Sequence, residues 1–343
     1  MIWRFLFGDS GEAGDTSHVP PSANSSEVPP VNRFTLQKLD GCRASHLNNH
    51  GHIVGVKDSS VVLLMDGEFL NVMEAQNEKW ETIAPRKIND HGQVLINCWT
   101  RPQNSGPLGA LQYPTLLWSE GRLTELGQWM GSDLNNHGQV LFLGWEEDCL
   151  RTQLWDAGSV TQIGPKGFEG TVMNDRGQIG GSYTADDFPS VPAYWSEGEM
   201  HLLTGLENES GFIEAMNNSG QFVVTREVEN LSSHQHGNPK LDEVGIWNSR
   251  GFQKIISDDV LGVRQADINE QGSVVTAYYF PDGIPYAIGS SIAFWNGKNH
   301  WLSDMVGRSH GFSSDVAIND AGQIIAYDDE NSFLLTPVEG PGN

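Results

Sequence analysis

Cysteine is scarce: Cys42, Cys98 and Cys149 are all the chain holds in 343 residues. Three cysteines build no disulfide framework, and their spacing matches no metal-binding pattern, which favours a reducing compartment. Basic residues are also few, 20 Lys and Arg against 44 Asp and Glu, for a formal net charge of −24. Nucleic acid is excluded as a partner, because phosphate demands a basic surface. The charge suits solubility, a basic partner or a bound cation. No apolar run is long enough to span a membrane. The opening Met-Ile-Trp-Arg-Phe-Leu-Phe is too short for a secretory core, so no signal peptide is read and a cytoplasmic location is expected on that ground. Residues 9–32 hold Pro20, Pro21, Pro29 and Pro30 among Ser, Gly and acidic residues. Such a composition buries too little apolar surface to fold, and 1–32 is expected to be a disordered tail.

What the chain does have is one phrase in seven copies, Asn-[Asp/Asn/Glu]-x-Gly-[Gln/His/Ser]. The copies start at Asn48, Asn89, Asn135, Asn174, Asn217, Asn269 and Asn319, with their glycines at Gly51, Gly92, Gly138, Gly177, Gly220, Gly272 and Gly322. Each follows an apolar residue, and most precede a β-branched or aliphatic run such as Val94-Leu95-Ile96. This is hairpin chemistry: Asn and Asp bond their own backbone in a turn, and Gly accepts the left-handed conformation that closes a bulged one. A side chain at such a Gly costs about 1–2 kcal/mol, reason enough for its presence without any ligand.

A second signature follows, an apolar pair, a polar turn with Gly and another apolar run, as in Leu117-Trp118-Ser119-Glu120-Gly121. It recurs at Trp155, Trp195, Trp247 and Trp295, and Leu64-Met65-Asp66-Gly67 is its first copy, with Met65 read in place of Trp. The aligned tryptophans are expected to pack between repeats. Two hairpins per repeat make four strands, A to D, in about 40–50 residues, which is one propeller blade. The expected fold is therefore an all-β, seven-bladed β-propeller of four-stranded blades over 33–338, with 339–343 as a C-terminal tail. The seventh unit ends after strand C, and the segment 33–39 lies unused ahead of the first phrase. That segment is predicted to pair beside the last strand C and so close the ring, removing an open edge.

The repeats resemble those of the bacterial HAF repeat family, whose unit runs from Asn-Asp-x-Gly-Gln-Val-Val-Gly through Ala/Phe-Leu-Trp-x-x-Gly to Leu-Gly. Gly92-Gln93-Val94, Gly138-Gln139-Val140, Phe294-Trp295 and Leu126-Gly127 carry the resemblance over residues 34–336. It implies β-propeller-like repeats and an extracellular setting, and it carries no catalytic residues.

With the Asn phrases as A–B turns, the B–C and D–A connections emerge at the opposite end. The B–C connections vary most in length, and the long ones are Thr100–Tyr113, Glu227–Glu243 and Tyr278–Ser290. Long loops on a rigid frame are where function usually sits. The same end is acidic, with Glu146, Glu147, Asp148, Asp186, Asp187, Asp282, Asp328 and Asp329. Off-register aromatics Trp99, Trp145, Tyr278 and Tyr279, together with Arg101, His234 and His236, complete the candidates for a ligand face. The leading expectation is a non-enzymatic, monomeric scaffold binding a protein or other partner through this acidic face. A carbohydrate-binding propeller, with a glycan on the aromatics, is a second reading. A cation-dependent hydrolase or lyase with axial carboxylates is a third.

No catalytic residue is named and no cofactor is required. Ca²⁺ is the one ion for which the carboxylates offer ligands. Asp133 and Asp267 alone stand two residues before a phrase as a calcium loop would need, and His234/His236 with Asp242 and Glu243 offer a weak zinc set.

Overall fold

In the computed structural model the described residues are 34–74, 80, 82–99, 113–146, 149–185, 189–229, 240–260, 262–279, 292–307, 312, 314–328 and 330–338. Strand β1 (Phe34–Leu39) comes first, and blade 1 follows as β2 (Cys42–Leu47), β3 (Ile53–Lys57), β4 (Ser60–Met65) and β5 (Glu68–Met73). Blade 2 is β6 (Thr82–Ile88), β7 (Val94–Trp99), β8 (Thr115–Ser119) and β9 (Arg122–Gly127). Blade 3 is β10 (Met130–Leu134), β11 (Val140–Glu146), β12 (Cys149–Asp156) and β13 (Ser159–Ile163). Blade 4 is β14 (Phe168–Met173), β15 (Ile179–Tyr183), β16 (Val191–Ser196) and β17 (Glu199–Leu202). Blade 5 is β18 (Gly211–Met216), β19 (Phe222–Glu229), β20 (Lys240–Asn248) and β21 (Gly251–Val260). Blade 6 is β22 (Gly262–Ile268), β23 (Val274–Tyr279), β24 (Ile292–Trp295) and β25 (Asn299–Trp301), trailed by the single-turn helix α1 (Leu302–Met305). Blade 7 takes β26 (Ser314–Ile318), β27 (Ile324–Tyr327) and β28 (Ser332–Pro337) from the end of the chain.

All seven sheets are four-stranded and antiparallel, and the seventh runs β1-β28-β27-β26. The predicted closure is present: Phe34 to Leu39 pair in unbroken register with Pro337 to Ser332. Phe34 also sets its ring edge-on to Phe294 of blade 6, centroids 5.7 Å apart. Chain ends are thereby tied into one sheet, as ring closure requires.

The first strand of each blade lies innermost, touching the first strands of its neighbours around the axis. Each also carries a bulge against its partner, as between Gly131 and Asp133 or Gly170 and Val172. A bulge leaves a backbone group without a ladder partner. In three blades the preceding blade supplies it. The Gly131 N–H donates to Thr115 Oγ1 at 3.0 Å, Gly170 N–H to Thr152 Oγ1 at 2.7 Å, and Ala44 N–H to Ser332 Oγ at 2.9 Å. At the matching junction of blades 1 and 2 the hydroxyl position holds buried Val61, and the residue across from it is Pro85, which has no N–H.

Apolar clusters fill the spaces between blades. One joins Val61, Leu63 and Met65 of blade 1 to Val94, Leu116 and Trp118 of blade 2. The aligned tryptophans lie in such clusters, and Trp118 is the most buried of them at 8% exposure, while Trp155, Trp195, Trp247 and Trp295 keep more of their surface open. Pairing also corrects the register of the first copy. Trp118 pairs with Val94, Trp155 with Val140 and Trp195 with Ile179, and the corresponding partner of Ile53 is Leu64. Leu64, rather than Met65, thus stands in the tryptophan position. Counting back three residues from the turn glycine gives the same alignment, which apolar pairing alone obscured.

Candidate functional site

The seven Asn phrases meet at one end of the axis, each between the first and second strands of its blade. In every copy the Asn carbonyl accepts the N–H of its Gly, at 3.0 Å for Asn48 and Gly51, and the glycines sit at φ between 72° and 79°. The Asn Oδ1 accepts backbone N–H groups inside the same turn, as Asn89 does from His91 at 3.1 Å and Gln93 at 2.9 Å. So far this is the expected turn. Sequence could not show where the other half of the amide points.

Each Nδ2 donates to the Asn carbonyl of the next blade: Asn48 to Asn89 at 3.0 Å, Asn89 to Asn135 at 3.0 Å, Asn135 to Asn174 at 3.5 Å and Asn174 to Asn217 at 3.0 Å. Asn217 to Asn269 at 3.0 Å, Asn269 to Asn319 at 3.2 Å and Asn319 to Asn48 at 3.0 Å complete the circle. All seven asparagines are buried. A buried amide must have partners for both its ends, and each one here finds them by bridging two blades.

A second circle runs through the next residue of every phrase. The N–H groups of Asn49, Asp90, Asn136, Asp175, Asn218, Glu270 and Asp320 each donate to the side chain of the following member, with distances of 2.7–2.9 Å. Amide and carboxylate alternate through six members. Asn136 Nδ2 spans Asp90 at 3.1 Å and Asp175 at 3.0 Å. Seven is odd, so alternation fails once, where Asp320 follows Glu270 and two carboxylates are neighbours.

Below the circles the axis holds a small cavity of about 140 Å³, lined by the phrases and by His46, Lys87 and Asp267. The Lys87 ammonium lies 2.9 Å from Asp133 Oδ1. Burial opposes its charge, but Asp133 and Asp267 outweigh that and hold its pKa above the usual lysine value. Burial lifts the Asp267 carboxyl above the usual range, against the pull of Lys87 and of the N–H groups of Ile318 and Ile268. His46 is pushed well below the ordinary imidazole value by burial and then by Lys87 and Arg86, and its Nδ1 has no hydrogen-bond partner. The residues offered for a calcium loop are thus otherwise engaged. Asp133 also accepts from Leu134 and Met173 N–H, and Asp267 from Ile268 and Ile318 N–H, so each carboxylate ties its blade to the next. Among the described residues no three His, Cys, Asp or Glu side chains are placed to hold a metal ion.

At the B–C and D–A end, Glu146 is exposed at the tip of β11. Asp328 closes a turn, its Oδ1 accepting from Asn331 N–H at 2.9 Å and Glu330 N–H at 3.3 Å. Trp99 ends β7 half-buried, and its Nε1 has no hydrogen-bond partner among the described residues. Tyr278 is 3% exposed in the cluster between blades 5 and 6, which removes it from a ligand face. It belongs to β23, just as Glu227–Glu229 and Lys240–Glu243 extend β19 and β20 and shorten the expected loop to 230–239. Glu243 is held by Arg226 at 2.7 Å and Lys254 at 2.6 Å, so both its oxygens are taken rather than open to zinc. Arg101, Glu147, Asp148, Asp186, Asp187, His234, His236, Asp282 and Asp329 lie outside the described residues, as do the side chains of Trp145 and Tyr279.

The chain is a seven-bladed β-propeller with its N-terminal strand completing the last blade. No family model matches it, and no curated protein matches its sequence. Solved propellers do match in structure. The Pyrococcus horikoshii acylaminoacyl peptidase aligns with 77% of this chain at 13% identity and TM-score 0.55, and the match spans 45% of the peptidase. The β-propeller domain of the trilobed protease from Pyrococcus furiosus, described as having an open velcro topology, covers 88% of this chain and 97% of its own at 10% identity and TM-score 0.55. A chain of the mitotic checkpoint complex covers 95% and 99% at 11% identity and TM-score 0.53. At such identities the likeness shows the fold. Among the described residues no helix is long and apolar enough to cross a membrane.

Proposed function

We propose that this protein is a non-enzymatic scaffold that binds a basic protein segment through the B–C and D–A end of its propeller. The observation that carries this reading is the pair of closed hydrogen-bond circles. They use the repeated polar side chains as structure, so what recurs in every blade serves the frame. What differs from blade to blade, the B–C connections, is left for recognition. The acidic composition favours a basic partner, since opposite charge speeds encounter and selects against acidic competitors. A structural neighbour that belongs to a protein assembly, the checkpoint complex chain, is compatible with such a role.

The test is fluorescence anisotropy with a labelled Lys/Arg-rich peptide, using the full chain. Affinity should fall with rising salt and drop by about tenfold in Glu146→Lys/Glu330→Lys. Equal binding by that variant, at equal thermal stability, would reject this face.

A further inference from the structure

A cavity of about 640 Å³ opens between blades 1 and 2 at the end of the propeller that bears the Asn phrases, well inside the range of small-ligand pockets. Its origin lies in two departures from the repeat. The phrase ends in Gln in blades 2, 3, 4, 5 and 7, and in blades 2, 5 and 7 the Gln amide lies against the Gly of the following blade. A Cβ at Gly138, Gly272 or Gly51 would meet Gln93, Gln221 or Gln323 at 3.0, 2.9 and 3.1 Å. Two of the phrase glutamines also bond the residue that ends the third strand of their own blade, Gln93 of blade 2 to Ser119 at 3.5 Å and Gln139 of blade 3 to Asp156 at 3.0 Å.

Blade 1 has His52 for the Gln and Met65 for the Ser or Asp. His52 lies against Asn48, its Nδ1 3.5 Å from Asn48 Nδ2, as the glutamines lie against their own Asn at 2.7–2.8 Å, but it reaches no further, and nothing lies within 4 Å of a Cβ built at Gly92. The space that Gln93, Gln221 and Gln323 fill beside the next glycine is open here, as it also is beside Gly177. Met65 and the indole of Trp118 form its wall, His52 and His91 supply imidazoles, and Asp66 and Glu120 stand at the exposed turns on either side. Among the described residues no lysine or arginine lines it, and Asp90, whose oxygens are held by Asn49 and Asn136, adds a fixed negative charge behind.

We propose that this cavity is a binding site for an alkyl chain ending in a guanidinium or ammonium group. The apolar wall takes the methylenes, the indole and the carboxylates take the charge, and the imidazoles accept hydrogen bonds. Such a group reaches the site either as an arginine or lysine side chain or as a free amine. It is separate from the loop end assigned above to partner binding, and neither reading depends on the other.

Isothermal titration of the full chain with agmatine, and with the peptide acetyl-Gly-Arg-Gly-amide, tests this. Saturable binding that is weakened at least about tenfold in Asp66→Asn/Glu120→Gln supports the site. A second variant, His52→Gln/Met65→Ser, gives blade 1 the Gln and Ser of blade 2, where Gln93 fills the space beside Gly138; it should weaken binding to the same extent while the protein stays folded. The tighter of the two probes identifies the source, free amine or side chain. Absence of saturable binding by both probes, or binding unchanged in both variants, overturns the proposal.

Discussion

The Asn319 side chain donates to the Asn48 carbonyl at 3.0 Å, joining residues 271 apart. Together with the pairing of β1 and β28, this bond makes the ring continuous at the axis as well as at the rim. A buried asparagine serving its own turn and the neighbouring blade should therefore be worth more than a surface turn residue.

Asn89→Ala removes the acceptor for two N–H groups and the donor to Asn135. The expected loss is about 3 kcal/mol, from several buried polar groups left without partners at about 1–3 kcal/mol each. Asn89→Asp keeps the acceptor but sets a buried carboxylate against the Asn135 carbonyl and Gln93 Oε1, so it should cost at least as much as Ala. Urea unfolding midpoints of the three proteins measure the order, and equal midpoints would deny the circle any energetic role.

The break in alternation gives a prediction of opposite sign. Asp320→Asn retains an acceptor for the Glu270 N–H and removes a negative charge next to Glu270. Stability should rise by about 0.5 kcal/mol at low ionic strength, and the gain should shrink in high salt. Asp175→Asn is the control: Asp175 lies between the amides of Asn136 and Asn218, and its replacement should destabilise.

Val61 and Pro85 form a matched pair where three other junctions use a hydroxyl and an N–H. Pro85→Ala creates a buried donor facing a methyl group and should cost about 1–3 kcal/mol. Adding Val61→Thr should recover part of that loss, while Val61→Thr alone, with nothing to accept from, should destabilise. A double-mutant cycle by urea denaturation reads the coupling, and strict additivity would refute the pairing.

His46 makes stability depend on pH. Its folded pKa is depressed, so the folded state resists a proton that the unfolded chain takes up. The contribution is complete above the unfolded value and is lost as pH falls below it. Each unit below about pH 6.5 should cost about 1.4 kcal/mol while His46 stays neutral in the fold. His46→Gln should flatten this limb of a plot of unfolding free energy against pH, and an unchanged slope would assign the effect elsewhere.

Blade number, strand count and ring closure were legible because they depend on local chemistry. Asn-x-x-Gly demands a turn with a left-handed Gly, and the surplus strand at 33–39 matched the one missing from blade 7, found at Phe34–Leu39. The candidate sites were much less legible. Asp133 and Asp267 offered the leading Asp of a calcium loop in sequence, and a list of residue types cannot show that backbone N–H groups of their own and the next blade already hold them. Tyr278 read as exposed because B–C loops were assumed to begin where β23 in fact continues. The slot beside His52 had a trace in the sequence, Gln to His in one phrase, but the linked change at Met65 was concealed by a one-residue misalignment of the Trp signature.

Sequence by itself determined the repeat unit, its turns and the number of blades, since a turn's φ and hydrogen bonds are satisfied within a few neighbouring residues. Only the tertiary structure decided how the seven turns are linked. Seven Asn amides become a circle, and an odd count forces Glu270 against Asp320, because each amide's second partner belongs to another blade, 39–52 residues away along the chain or, at the closing bond, 271. The cavity between blades 1 and 2 is of the same kind: its walls come from two repeats, and its volume depends on what each leaves unfilled in the other.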